Sequence, residues 1–252
     1  MKKKILKNIL ELISFFWKMI PWKIRNYFFL IPIILEGRGN HINAFERLFT
    51  IEEHTKWVYN ELALRYGNGI HIKHKIMKYA NFFKKNIYKN QTVLDVGCGY
   101  GAVAFSIVEN LNSVKVIGID TDKNKIEAAN KHFIHKNLKF IHNDAFSIKP
   151  FKVDIIILSN VLEHIQDRVD FLIKLNKQFK PSLFLIRVPD LERDWSIPFK
   201  KEIGLNYFSD KTHFIEHTEN EFRDEMKKAN LKIKSLTKNW SEIWAKCESK
   251  DL

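Results

Sequence analysis

Apolar residues dominate the first 35 positions, but Lys4, Lys7, Asn8, Glu11, Ser14 and Lys18 interrupt them mostly at spacings of three and four. Ile5, Leu6, Ile9, Leu10, Leu12, Ile13, Phe16, Trp17 and Ile20 fill the rest of the wheel, which predicts an amphipathic helix with a broad apolar face ending near Pro21. Asn43–Thr50, Ile51–Ala63 and Lys75–Ile87 again carry apolar residues at helical spacing, and Gly67-Asn68-Gly69-Ile70-His71 signals a turn before the last of them. From residue 91 the pattern changes. Short β-branched apolar runs near 91–96, 115–119, 138–142, 153–158 and 182–188 alternate with helical patterns near 101–111, 122–135, 165–179 and 217–230. Repeated strand–helix alternation predicts a parallel sheet with helices on both faces. The expected organisation is a helical extension over 1–88 and an α/β domain over 89–252.

Charge sharpens that division. The 252 residues carry a formal net charge of +13; residues 1–90 hold 17 basic and 6 acidic side chains, so +11 of the excess lies there. The nearly neutral remainder argues against a protein that coats polyanions over its whole surface. Lys7, Glu11 and Lys18 break the apolar region, and Pro21-Trp22-Lys23 stands where a signal peptide would have a small-residue cleavage site. The longest charge-free stretch there, Asn26 to Leu35, is 10 residues, against roughly 18–20 for a transmembrane span. Trp17, Trp22, Phe28 and Phe29 beside Lys and Arg suit an anionic membrane surface over residues 4–35. Packing on the body or in a homodimer would use the same face. Two cysteines, Cys98 and Cys247, make no disulfide scaffold and fit a reducing compartment, so the expected location is cytoplasmic, peripheral at the membrane if the apolar face binds there.

The chemistry is concentrated at Val93-Leu94-Asp95-Val96-Gly97-Cys98-Gly99-Tyr100-Gly101. A strand runs into a turn with three alternate glycines and then a helix. Glycine permits tight turning and close approach of a ligand, and the helix start favours negative groups. Gly97-x-Gly99-x-x-Ala102 also satisfies the relaxed dinucleotide fingerprint, which leaves an NAD-binding oxidoreductase as an alternative. Asp120 ends the next strand 23 residues after Gly97, where it could hold ribose hydroxyls of either cofactor. Two other features favour a nucleoside bearing an amino acid. Asp95 places a carboxylate near the loop, suited to a cationic amino-acid moiety, and Asp144-Ala145 closes a third strand, with the acid placed for an adenine amino group.

Taken together, these residues resemble the class I S-adenosylmethionine-dependent methyltransferases. Val93–Gly101 matches the family's first motif, Asp120 its ribose-binding acid and Asp144 its adenine-side acid; Val153–His164, containing Ser159, is similar to the fourth-strand segment of the small-molecule, ubiquinone-biosynthesis-like branch. The resemblance covers about residues 70–240. It implies a Rossmann-like, seven-stranded, mostly parallel sheet, with Leu231–Leu236 and Glu242–Cys247 as the last strands and one of them antiparallel. It also implies S-adenosylmethionine as cofactor, held by Asp95, Gly97, Cys98, Gly99, Gly101, Asp120, Asp144, Ala145 and Ser159.

The acceptor side is less specific. His164 follows the fourth strand, and Asp210-Lys211-Thr212-His213-Phe214-Ile215-Glu216-His217 closes a long segment after the fifth. His164 and His213 are the candidate catalytic residues, since an alcohol or phenol acceptor benefits from a general base; His217 fits better as a residue of the next helix. His71-x-x-His74 and His213-x-x-x-His217 have ligand-like spacing, but no cysteine lies near either pair in sequence, so no metal is expected. The fourth strand ends Ser159-Asn160-Val161-Leu162, without the Pro-Pro-aromatic signature of base-amino methylation, which argues against nucleic acid. The expected activity is methylation of a small-molecule, glycan or lipid-linked acceptor, with RNA- or protein-directed methylation as the alternative.

Overall fold

The computed structural model describes residues 2–67 and 71–249, without the side chains of residues 2–8 and His74. The turn expected at 68–70 lies outside the described residues, as do the side chains of Lys4, Ile5, Leu6, Lys7 and Asn8. The chain divides into two compact units, 1–73 and 74–252.

In the first unit, α1 (Lys2–Met19) ends before Pro21 as expected, and α2 (Trp22–Glu36) follows. Pro32 and an apolar circumference hid α2 from periodicity. None of its residues is buried. Trp17, near the end of α1, meets the rings of Phe28 and Phe29 of α2 at 5.9 and 5.7 Å. The two patterns read over 43–63 are one helix, α3 (His41–Tyr66), capped by the Asn40 side chain. Among the described residues no helix is long and apolar enough to cross a membrane.

The second unit begins within α4 (Lys73–Met77), which Lys78 (φ 46°) separates from α5 (Ala80–Lys85), where the sequence pattern suggested one helix. The compact unit starts ahead of residue 89 because Phe83 and Ile87 bury into its core. The sheet is then built from β1 (Thr92–Val96), β2 (Lys115–Asp120), β3 (Leu138–His142), β4 (Ile155–Ser159), β5 (Leu183–Pro189), β6 (Leu231–Asn239) and β7 (Glu242–Ser249). These seven strands lie in the order β3-β2-β1-β4-β5-β7-β6. The first five pair in parallel, and β7 is antiparallel to both β5 and β6.

Alternation along the strands divides the core in two. Leu94, Val96, Ile156 and Leu158 pack with α8 (Arg168–Phe179) and α10 (Glu219–Lys228) on one face. Val93, Ile155 and Ile157 pack with α5, α6 (Ala102–Asn110) and α7 (Lys123–His132) on the other. Helices thus cover both faces, and the carboxyl ends of β1–β5 are left to form a crevice, with the crossover between β1 and β4 at its centre. The segment after β5 carries α9 (Ser196–Glu202).

Candidate active site

The three loop glycines adopt left-handed backbone, at φ 69°, 55° and 81° for Gly97, Gly99 and Gly101. Their surroundings differ. A Cβ on Gly97 would sit 2.7 Å from Val161, and one on Gly101 would sit 2.3 Å from Phe140, so both are packing positions. A Cβ on Gly99 would meet nothing within 4 Å; it looks into open space. The loop is held to β2 by Gly97 and Cys98 N–H groups donating to the Ile119 carbonyl, and by Gly99 N–H donating to Asp120 Oδ2 at 2.8 Å.

A cleft of about 540 Å³ opens along this loop. It brings together Gly97, Gly99, Asp120, Asp144, Ala145 and His164 of the expected residues. Apolar walls come from Val96, Ile119, Val161, Ile165 and Phe171. Asp120 sits where β2 ends, and its Oδ1 also accepts from Asp122 N. Asp144 caps a short 3-10 turn through Phe146 N and is exposed at the far end.

Cys98, Gly101 and Ser159 are not among the lining residues. The Cys98 thiol packs toward Gly118 and the core, and burial raises its pKa. Gly101 caps α6, and Ser159 pairs with Arg187 inside the sheet. Asp95 lies beneath the loop, 1% exposed, and its Oδ2 has no hydrogen-bond partner among the described residues. Burial, then repulsion from Asp120, pushes its pKa up to about 7. An unpaired buried carboxylate costs energy unless a cation or donor meets it. The glycine cradle, the orphaned Asp95 oxygen and the strand-end acids fit a nucleoside with an ammonium-bearing arm.

At the other end, His164 lies in the 3-10 turn Leu162–His164 after β4. The Thr212 hydroxyl lies 2.8 Å from His164 Nδ1 and 2.7 Å from Asp210 Oδ1. Bonds to Thr212 hold the Asp210 carboxyl below its usual range, so it accepts only. The hydroxyl proton therefore points to Asp210, the oxygen accepts from His164 Nδ1–H, and the Nε2 lone pair is left free. Burial and the neighbouring His213 lower the His164 pKa, which favours that neutral form. His213 does not line the cleft, but its ring stands 4.7 Å from that of His164, edge to face. The ends of the acceptor segment thus meet the turn after β4.

One ligand atom from each of Glu163, His164 and His213 lies within 4.8 Å of the others, a grouping that could hold a metal ion. It is neither of the pairs suggested by spacing. His71 bonds Asn60, and the His74 side chain lies outside the described residues. His217 is buried and bonds Glu225 Oε2 at 2.9 Å, a packing role.

Sequence reading left out Asn160, Thr121, Lys125, Asn143 and Phe171, all of which line the cleft. Asn160 carried the one usable signal: at φ 57° it is a non-glycine residue of the type that tolerates left-handed backbone.

The mitochondrial ubiquinone biosynthesis O-methyltransferase of Schizosaccharomyces pombe is 29% identical over 107 residues, which are 40% of this chain and 38% of that protein. The ribosomal protein L11 methyltransferase of Thermosipho africanus is 33% identical over 105 residues, 41% and 39% of the two chains. The chain thus spans about two fifths of the length of these curated relatives. Magnesium protoporphyrin IX methyltransferase from Synechocystis PCC 6803, solved with bound SAH, superposes with a TM-score of 0.55 at 15% identity, over 71% of this chain and 83% of that one, and shares the fold. Residues 87–248 match the family model described as a methyltransferase domain. The dinucleotide-dependent oxidoreductase alternative falls with that match, and the chain belongs to the methyltransferase-domain family.

Proposed function

We propose that this protein transfers a methyl group from S-adenosylmethionine to a small-molecule, glycan or lipid-linked acceptor, working in the cytoplasm at an anionic membrane surface reached through residues 4–35. The observation that supports it most is the convergence of the glycine loop, Asp120, Asp144 and His164 on one cleft. In this reading Asp120 accepts from ribose hydroxyls, Asp144 and the amide after it face the adenine, and Asp95 meets the amino group. The donor supplies a methyl on a sulfonium centre, already electrophilic, so positioning carries most of the catalysis. His164 Nε2 takes the proton from an acceptor hydroxyl, with Asp210 and Thr212 fixing its tautomer, and His213 supports the His164 ring from behind through the edge-to-face contact.

The deciding experiment is incubation of cell extracts with radiolabelled S-adenosylmethionine, then fractionation into lipid, glycan, protein and nucleic acid. Label in lipid, glycan or small molecules supports the proposal; label confined to protein or RNA replaces the acceptor class. On the labelled fraction, His164→Ala is expected to lower turnover by about 10²–10⁴-fold, the usual contribution of a general base, with a much smaller loss of S-adenosylhomocysteine affinity because His164 lines the same cleft. A parallel loss of affinity would remove the base role. The Glu163–His164–His213 grouping supports a second, metal-assisted reading, in which these three side chains would hold a cation. Loss of turnover on chelation and its recovery with a divalent cation would favour it.

Asp95 adds a proton-linkage test. With its pKa near 7 it is mostly protonated at pH 6 in the free protein, and an ammonium at Oδ2 favours the ionised form. Binding of S-adenosylhomocysteine is therefore expected to release close to one proton at pH 6, and affinity to rise with pH up to about 7. Calorimetry in buffers of different ionisation enthalpy reads this directly, and proton uptake would contradict it. In the free protein a folded-state pKa above the unfolded one means that stability falls as pH rises toward 7.

A further inference from the structure

At the carboxyl edge of the sheet, Arg187 of β5 stands beside Ser159 of β4. Its guanidinium lies 4.8 Å from the ring centroid of Tyr79 and 5.3 Å from that of Trp244. Tyr79 comes from the residue preceding α5 and Trp244 from β7. Held between two rings, a normally flexible side chain loses most of its freedom, and its planar fork is aimed. The fork faces Glu242 Oε2 at 3.5 Å and donates to Asn160 Oδ1.

Asn160 is the residue that needs holding. Its left-handed backbone is one that asparagine tolerates better than other residues with a Cβ, and the bonds around it fix that conformation. There are three: its N–H donates to the Arg187 carbonyl at 2.8 Å, its Oδ1 accepts from the Arg187 guanidinium, and its Nδ2 donates to Glu163 Oε1 at 2.9 Å. Glu163 is fully buried, immediately precedes His164, and its carbonyl accepts from Phe214 N at 2.8 Å. Phe214 immediately follows His213. One guanidinium thus connects α5 and β7 to both segments that carry the two histidines.

We propose that Arg187 is a positioning residue: clamped by Tyr79 and Trp244, it fixes Asn160 and, through Asn160 and Glu163, sets the His164–His213 pair. The use of that pair in methyl transfer rests on the function proposed above; its arrangement does not. Arg187 neither lines the cleft nor reaches the histidines, so its effect passes through Asn160.

The test uses the full-length protein labelled with 15N-histidine, with the two rings assigned from His164→Gln and His213→Gln. Arg187→Gln is expected to displace the ring signals of both His164 and His213, and Arg187→Lys, which keeps charge but not the fork, to displace them less. Asn160→Gly, which tolerates the left-handed turn but removes the carboxamide, is expected to displace the same two signals. For Arg187→Gln, the dissociation constant of S-adenosylhomocysteine should stay within about threefold of wild type. Ring signals that stay in place in Arg187→Gln or in Asn160→Gly overturn the proposal, even if melting temperature falls. If Arg187→Gln does not fold, Arg187→Lys and Asn160→Gly carry the comparison. Wild-type protein that ignores S-adenosylhomocysteine would sink the donor reading and leave the ring comparison standing.

Discussion

Gly99→Arg is expected to abolish binding of S-adenosylhomocysteine while leaving the fold intact. Gly99 is the one loop glycine whose Cβ would meet open space, and that space is the cleft. An arginine side chain there projects into a volume of about 540 Å³, the one assigned to the nucleoside under the proposed function. The positive φ of 55° adds strain of about 1–2 kcal/mol, small beside the 5–15 kcal/mol of a typical domain. Calorimetry should lose all heat of binding, and circular dichroism should remain that of the wild type. Gly101→Val provides the contrast. Its side chain must displace Phe140, which a Cβ would approach to 2.3 Å, so melting temperature falls first and binding is lost with the fold. Undiminished affinity in folded Gly99→Arg would place the donor elsewhere.

The second large effect concerns α1 and α2. Removal of residues 1–36 is expected to abolish association with vesicles containing phosphatidylglycerol, while affinity for S-adenosylhomocysteine is unchanged because the glycine loop lies in the second unit. Phe28 is 58% exposed and Ile34 50%, and the same holds along α2, which has no buried residue. An apolar surface of that extent needs a partner. At 15 residues α2 is about 22 Å long, too short for a hydrocarbon core of about 30 Å, so the geometry suits lying in one interface. Lys18, Lys23 and Arg25 flank the break between α1 and α2, and each basic residue near an anionic surface adds roughly 1 kcal/mol. Sedimentation of full-length protein should therefore rise with anionic lipid content and fall with salt. A full-length protein that ignores vesicles and loses a dimer on truncation would make the face a subunit contact and leave the cleft untouched.

The chain's pattern determined a great deal by itself. β-branched runs alternating with helical periods specify a parallel sheet, because only that arrangement buries both strand faces beneath helices. Glycines at 97, 99 and 101 and acids at strand ends carry a local signature, since backbone freedom and the position of an acid after a strand are properties of short segments. Helix α1 was legible for the same reason, while α2 was not, because a helix apolar on every side has no period to read.

What only the tertiary structure decided is which side chains meet. Cys98 lies between two glycines of the loop, yet its thiol turns into the core against Gly118, whereas Asn160, one residue past β4, takes the place expected for Ser159 on the cleft wall. His164 and His213 are 49 positions apart and acquire their relation from the return of the chain after β5, through Thr212 and the bond from Phe214 N to Glu163 O. The same holds for Tyr79, Arg187 and Trp244, which come from three separate elements. Periodicity records which face of an element is buried; contacts between distant elements depend on how sheet and helices close around the core, and no local spacing encodes them.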